Sequence, residues 1–162
     1  MALAPFRDLL ALIILNGDFD LAQHLSADPA HCRISTIDAM AKGVFREKGT
    51  VCTFFDCLGV FAAIDPGGAI YSCQRFAGNP AYALGNVNDD PTENQLIQSA
   101  AYQSLHDAEM RKQDACSGCR HWQYCMGGCL YHALSAGTDK DPYCEAYRET
   151  FNRISTDMAL EM

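Results

Sequence analysis

Four cysteines in the pattern Cys116-x2-Cys119-x5-Cys125-x3-Cys129 constrain this chain more than any other feature. Two thiols separated by two residues can reach one metal centre from a single turn. Cys125 and Cys129, four apart, would share one face if they lay on one helix. Gly127 and Gly128 fall between them, which allows close backbone approach and offers N–H groups to sulfur. Cys32, Cys52, Cys57, Cys73 and Cys144 bring the total to nine cysteines in 162 residues. Soft thiolates select zinc or iron–sulfur clusters over hard cations, and four thiolates satisfy one such centre. The eight cysteines from Cys52 onward therefore make two four-cysteine sites, and Cys32 is left as an ordinary thiol. Spacing leaves zinc and iron–sulfur both open, because Cys-x2-Cys pairs also mark zinc ribbons.

A disulfide framework would require export. The apolar run over residues 9–15 superficially resembles a signal core, but Arg7 is followed at once by Asp8 and no small-x-small cleavage site lies close behind. The run is also too short to span a bilayer, so it reads as a buried helix and not a membrane segment. The chain is expected in the cytoplasm, where thiols stay reduced and clustered cysteines mean metal. Formal net charge is −8, from 20 acidic and 12 basic residues, and the basic residues are scattered. That argues against a nucleic-acid partner, which requires clustered Lys and Arg at the phosphates.

The organisation is α+β, mostly helical with one small β-hairpin. Residues 5–15 and a short segment at 21–25 read as helix, with turn chemistry at 26–29. Ile37, Met40, Ala41, Val44 and Phe45 recur at helical spacing over 35–47, where Ser35 or Thr36 suits the start. Residues 60–64 and 69–72 read as strands around the turn Asp65-Pro66-Gly67-Gly68. Residues 77–91 are loop-rich. A helix is expected over 94–110, with Ile97, Ala101 and Leu105 on one face, and a last helix over 144–158 through Tyr147, Phe151 and Ile154. The chain divides into a helical arm, 1–50, and a cysteine-bearing module, 51–162.

The order Cys57-x10-Gly68-x4-Cys73, a gap, the run Cys116 to Cys129, a gap, and Cys144 is similar to the SPASM signature. That signature lies C-terminal to the barrel of radical SAM enzymes that modify peptides and proteins. The hairpin ending in Tyr71-Ser72-Cys73, the Leu84-Gly85-Asn86-Val87 element and Cys125-Met126-Gly127-Gly128-Cys129 resemble the family's flanking elements over roughly 52–151. The resemblance implies a SPASM-like fold organised around two [4Fe–4S] clusters. Cys52, Cys57, Cys73 and Cys129 would hold the first auxiliary cluster. Cys116, Cys119, Cys125 and Cys144 would hold the second. It further implies electron transfer and positioning of a peptide or protein substrate, beside a radical SAM barrel domain or subunit.

The chain lacks the Cys-x3-Cys-x2-Cys site for S-adenosylmethionine; His132 stands where its third cysteine would be. It is also shorter than the barrel plus this module, since a barrel alone takes about 200 residues or more. It therefore reads as a C-terminal fragment, a split gene product or an expressed domain, and is expected to be inactive by itself. Two alternatives stand beside this one. The first is a non-catalytic peptide- or partner-binding module, in which residues 9–15 would be an exposed interface. The second is a structural zinc protein.

Other residues have plainer readings. His121 and His132 suit the surface or support of ligands rather than metal ligation. Trp122, Tyr124 and Tyr131 suit shielding of a centre from water, and Asp139, Asp141 and Glu145 suit capping of a helix start.

Overall fold

Ile37, Met40, Ala41 and Val44 form the inward stripe of α1 (Ser35–Arg46), as their spacing requires. Phe45 falls off that stripe and is 77% exposed. The computed structural model describes residues 35–160. The expected helices over 5–15 and 21–25, the turn at 26–29, the proposed interface at 9–15 and Cys32 lie outside the described residues. Among the described residues no helix is long and apolar enough to cross a membrane.

Two compact units emerge, neither built from one stretch of chain. The first takes its described residues from 35–55, 118–128 and 142–160. In it α1 packs on α6 (Cys144–Leu160) and on the short α4 (Trp122–Cys125). Ile37, Met40, Phe54, Cys125, Ala146, Phe151 and Ile154 form its core. Phe151 is fully buried and meets Phe54 and Tyr124 with ring centroids 5.4 and 4.9 Å apart. α1 stops where Glu47 turns left-handed (φ 50°); the Glu47 and Lys48 N–H groups then donate to the Val44 and Gly43 carbonyls. That paired closure satisfies the last carbonyls of the helix. Any Cβ on Gly49 would overlap the Phe54 carbonyl oxygen, so only glycine fits where the chain turns into the 3-10 turn Cys52–Phe54.

The second unit holds 56–117 and 129–141. Its sheet is antiparallel, in the order β1 (Ala63–Ile64), β2 (Ala69–Tyr71), β3 (Gly85–Asn86). The hairpin is shorter than expected, since residues 60–62 stay outside the strand. Its turn is built by Asp65. One carboxylate oxygen accepts from the Gly67 and Ala69 N–H groups at 2.9 and 3.0 Å, and the other accepts from the Tyr71 hydroxyl at 3.1 Å. Burial raises the Tyr71 pKa, and the bond to Asp65 adds to it. Gly68 supplies the left-handed residue (φ 85°) that closes the turn.

The loop-rich stretch 77–91 hides β3, which adds to β2 in the register Ile70↔Gly85. A Cβ on Gly85 would lie 2.9 Å from Leu96 Cδ2, so a larger residue there would require the end of the Leu96 side chain to shift.

The single helix expected over 94–110 is two helices, α2 (Glu93–Ile97) and α3 (Ala100–Ala115). Thr92 and Gln95 form a reciprocal capping box on α2, and Ser99 caps α3 through the Tyr102 N–H at 3.1 Å. A side chain that caps a new helix start ends the old helix, so Ile97 is left 37% exposed while Ala101 and Leu105 are buried. α3 packs on α5 (Leu130–Ala136), and Tyr71, Phe76, Leu105, Ala108 and Leu130 form this unit's core.

Beside that core α3 buries an ion pair, Glu109 to Lys112 at 2.8 Å. Burial pushes the Glu109 carboxyl up and Lys112 pulls the other way. Replacing Lys112 by Met alone strands the carboxylate and is expected to cost about 3–5 kcal/mol. Ionisation of a carboxyl with a raised pKa opposes folding, so the deficit should grow as pH rises above about 4.3. The double variant Lys112→Met, Glu109→Leu should recover most of it. Urea unfolding of the three proteins from pH 4 to 8 reads both effects.

Candidate metal centre

Each of the eight cysteines from Cys52 onward sits at a turn or an element end. Cys52 opens the 3-10 turn, and Cys57 opens a turn closed by the Val60 N–H. Cys73 follows β2. Cys116 caps the end of α3, and the Cys119 carbonyl accepts from the Trp122 N–H at 3.0 Å. Cys125 ends α4, Cys129 caps the start of α5 and Cys144 opens α6. Cys116, Cys125 and Cys129 are buried, Cys57, Cys73, Cys119 and Cys144 are half-buried, and Cys52 is exposed. The first unit carries Cys52, Cys119, Cys125 and Cys144; the second carries Cys57, Cys73, Cys116 and Cys129.

Cys125 and Cys129 do not share a helix face. Met126, Gly127 and Gly128 are all left-handed, with φ of 53°, 72° and 77°, and break the helix between them. The Gly128 N–H donates to the Cys125 carbonyl at 3.0 Å. A backbone N–H that reaches sulfur is that of Arg75, 3.4 Å from Cys73 Sγ.

Arg75 also sends its guanidinium Nη1 to within 3.7 Å of Cys129 Sγ. The same nitrogen bonds His132 Nε2. A guanidinium only donates, so Nε2 accepts and the His132 proton sits on Nδ1. Nδ1 then donates to Asp141 Oδ2 at 2.9 Å, and that oxygen also accepts from the Cys129 N–H at 2.8 Å. Cys129, Asp141, His132 and Arg75 thus close a ring within the second unit. Asp141 is fully buried, and His132 and Cys129 are 8% and 7% exposed.

Both histidines are buried rather than on the surface, His121 at 2% exposure. In the first unit His121 bonds the Tyr124 hydroxyl at 2.7 Å and Asn152 Oδ1 at 2.8 Å. Burial pushes its pKa down, and the bond to Asn152 opposes that. Asp141 does cap a helix start, but it is that of α5, which precedes it in the chain. Asp139 and Glu145 pair with Arg111 and Arg148 at the surface.

Among the described residues no three His, Cys, Asp or Glu side chains are gathered closely enough to hold a metal ion. The donor chemistry nevertheless fits an iron–sulfur group. The candidate ligands are sulfurs, and Cys73 and Cys129 receive N–H donors of the kind that support metal-bound thiolate.

Residues 52–120 match the family model SPASM, described as an iron-sulfur cluster-binding domain. The resemblance carried by the cysteines is borne out over that segment. Mycofactocin maturase MftC of Mycobacterium tuberculosis (strain CDC 1551 / Oshkosh) is 33% identical over 89 residues, 52% of this chain and 22% of its own length. MftC of Mycobacterium ulcerans (strain Agy99) is likewise 33% identical, over 52% of this chain and 23% of its own. The chain thus spans less than a quarter of these curated relatives. Among solved structures, native anSMEcpe with bound AdoMet superposes with a TM-score of 0.63 at 21% identity, covering 85% of this chain and 39% of that one. anSMEcpe solved with AdoMet and a Kp18Cys peptide gives a TM-score of 0.59 at 20% identity, covering 96% and 41%. At that identity the likeness is one of fold, a mostly helical chain with a small antiparallel sheet.

Asp141→Ala removes the acceptor of two buried donors and is expected to destabilise the protein by about 2 kcal/mol or more. Asp141→Asn, which keeps one acceptor oxygen, should cost less. Urea unfolding under anaerobic, reducing conditions checks the order.

Proposed function

We propose that this chain is an auxiliary iron–sulfur module of a radical SAM enzyme that modifies a peptide or protein, with roles in electron transfer and substrate positioning. The observation that carries the reading is the SPASM match over 52–120, joined to a cysteine order that continues through Cys125, Cys129 and Cys144. Cys52, Cys57, Cys73 and Cys129 would hold one [4Fe–4S] cluster, and Cys116, Cys119, Cys125 and Cys144 the other. One-electron redox chemistry is what such clusters supply when bound.

The chain's own residues supply burial and hydrogen bonding. Buried Cys129 is oriented by Asp141, and Arg75 reaches its sulfur and that of Cys73. S-adenosylmethionine would be handled by a barrel domain or subunit, to which residues 1–50 would form the bridge and 51–162 the cluster-bearing module. A maturase role is supported by likeness to MftC, and a reducing cytoplasm suits the thiol chemistry.

Anaerobic reconstitution should load about eight iron and eight sulfide per chain, two [4Fe–4S] clusters. About two zinc ions with no sulfide would overturn the reading in favour of a structural zinc protein. Cys52→Ala should alter the electron paramagnetic resonance signal of one reduced cluster and spare the other. The loaded chain by itself should form no 5′-deoxyadenosine from S-adenosylmethionine.

A further inference from the structure

Arg75 touches two candidate ligands of the same cluster, one through its backbone and one through its side chain. Its backbone N–H lies 3.4 Å from Cys73 Sγ and its guanidinium 3.7 Å from Cys129 Sγ, though the two cysteines are far apart in sequence. The guanidinium is held from behind: it bonds His132 Nε2, His132 bonds Asp141, and Asp141 bonds the Cys129 backbone. The holding residues are buried while Arg75 itself is exposed. A long exposed side chain usually pays rotamer entropy to stay in one place, and here a buried pair fixes it.

We propose that Arg75, held by His132 and Asp141, is a positioning residue that raises the reduction potential of the cluster carried by Cys73 and Cys129. The inference rests on the iron–sulfur reading above. A cluster gains one negative charge when an electron from a chemical reductant enters it, and no bond forms or breaks. A fixed cation and N–H donors on its sulfurs stabilise the reduced form more than the oxidised form, which raises the potential. Solvent screening at Arg75 limits the size of the effect but not its sign. The Arg75 contacts fall on the cluster of Cys73 and Cys129, so the two clusters of one chain would be set at different potentials.

The experiment is an anaerobic potentiometric titration of the reconstituted full chain, followed by electron paramagnetic resonance, with iron and sulfide counted for each protein. Arg75→Leu should lower one midpoint and leave the other where it was. Arg75→Lys keeps the charge but loses the planar fork, and should fall between wild type and the Leu variant. Two unmoved midpoints in fully loaded Arg75→Leu protein, or two midpoints that move together, overturn the inference and leave the cluster reading intact. Loss of iron in both variants overturns it in favour of a purely structural role. Wild-type protein that takes up no iron and sulfide overturns the cluster reading, and this inference with it.

Discussion

A fully buried carboxylate, Asp141, holds the second unit together at the point where chemistry is expected. Its Oδ2 accepts both the N–H that opens α5 and the Nδ1 proton of His132. A buried charge is tolerated only when donors surround it, and the start of a helix is among the best donors available. The consequence passes outward. His132 presents Nε2 to Arg75, Arg75 reaches two sulfurs, and Phe76 next to it enters the core with Tyr71 and Leu130. Backbone, polar ring and apolar core therefore constrain one another within this unit.

The first unit is held differently. Its centre is aromatic, with Phe151 against Phe54 and Tyr124 and the His121 ring stacked on Phe151 at 5.8 Å. Burial favours the uncharged imidazole here, and two hydrogen bonds satisfy both ring nitrogens. Cys125 belongs to this core, so one sulfur is set by packing where Cys129 is set by hydrogen bonding.

What could be read from the sequence followed the range of the forces involved. The hairpin was legible because Asp65-Pro66-Gly67-Gly68 builds its turn from residues within four of one another. α1 and α6 were legible because their apolar stripes are long. The break between α2 and α3 was obscured by one apolar period running through it, although Thr92 with Gln95, and Ser99, carry the capping signals that mark it. β3 was missed because two residues, Gly85 and Asn86, carry no alternation to detect.

The cysteines were conspicuous as residue types, but their supports were not. Nothing near Arg75 in the sequence points to Cys129, and Asp141 resembled a cap for the helix that follows it. Left-handed Met126 was equally silent, since methionine carries no signal for a conformation that glycine or asparagine would advertise.

In the first unit α1 finds its partner in α6, far along the chain. On the ribosome, the apolar stripe of Ile37, Met40 and Val44 must therefore wait for α6 to emerge before it can be covered. Long-range closure of this kind is slow and leaves greasy surface available to chaperones meanwhile. The cysteines of this unit share that delay, because Cys144 is made after the other three. Metal delivery to a set that includes Cys144 would then be governed by the emergence of α6 and not by how early the thiol-rich run Cys116 to Cys129 is translated.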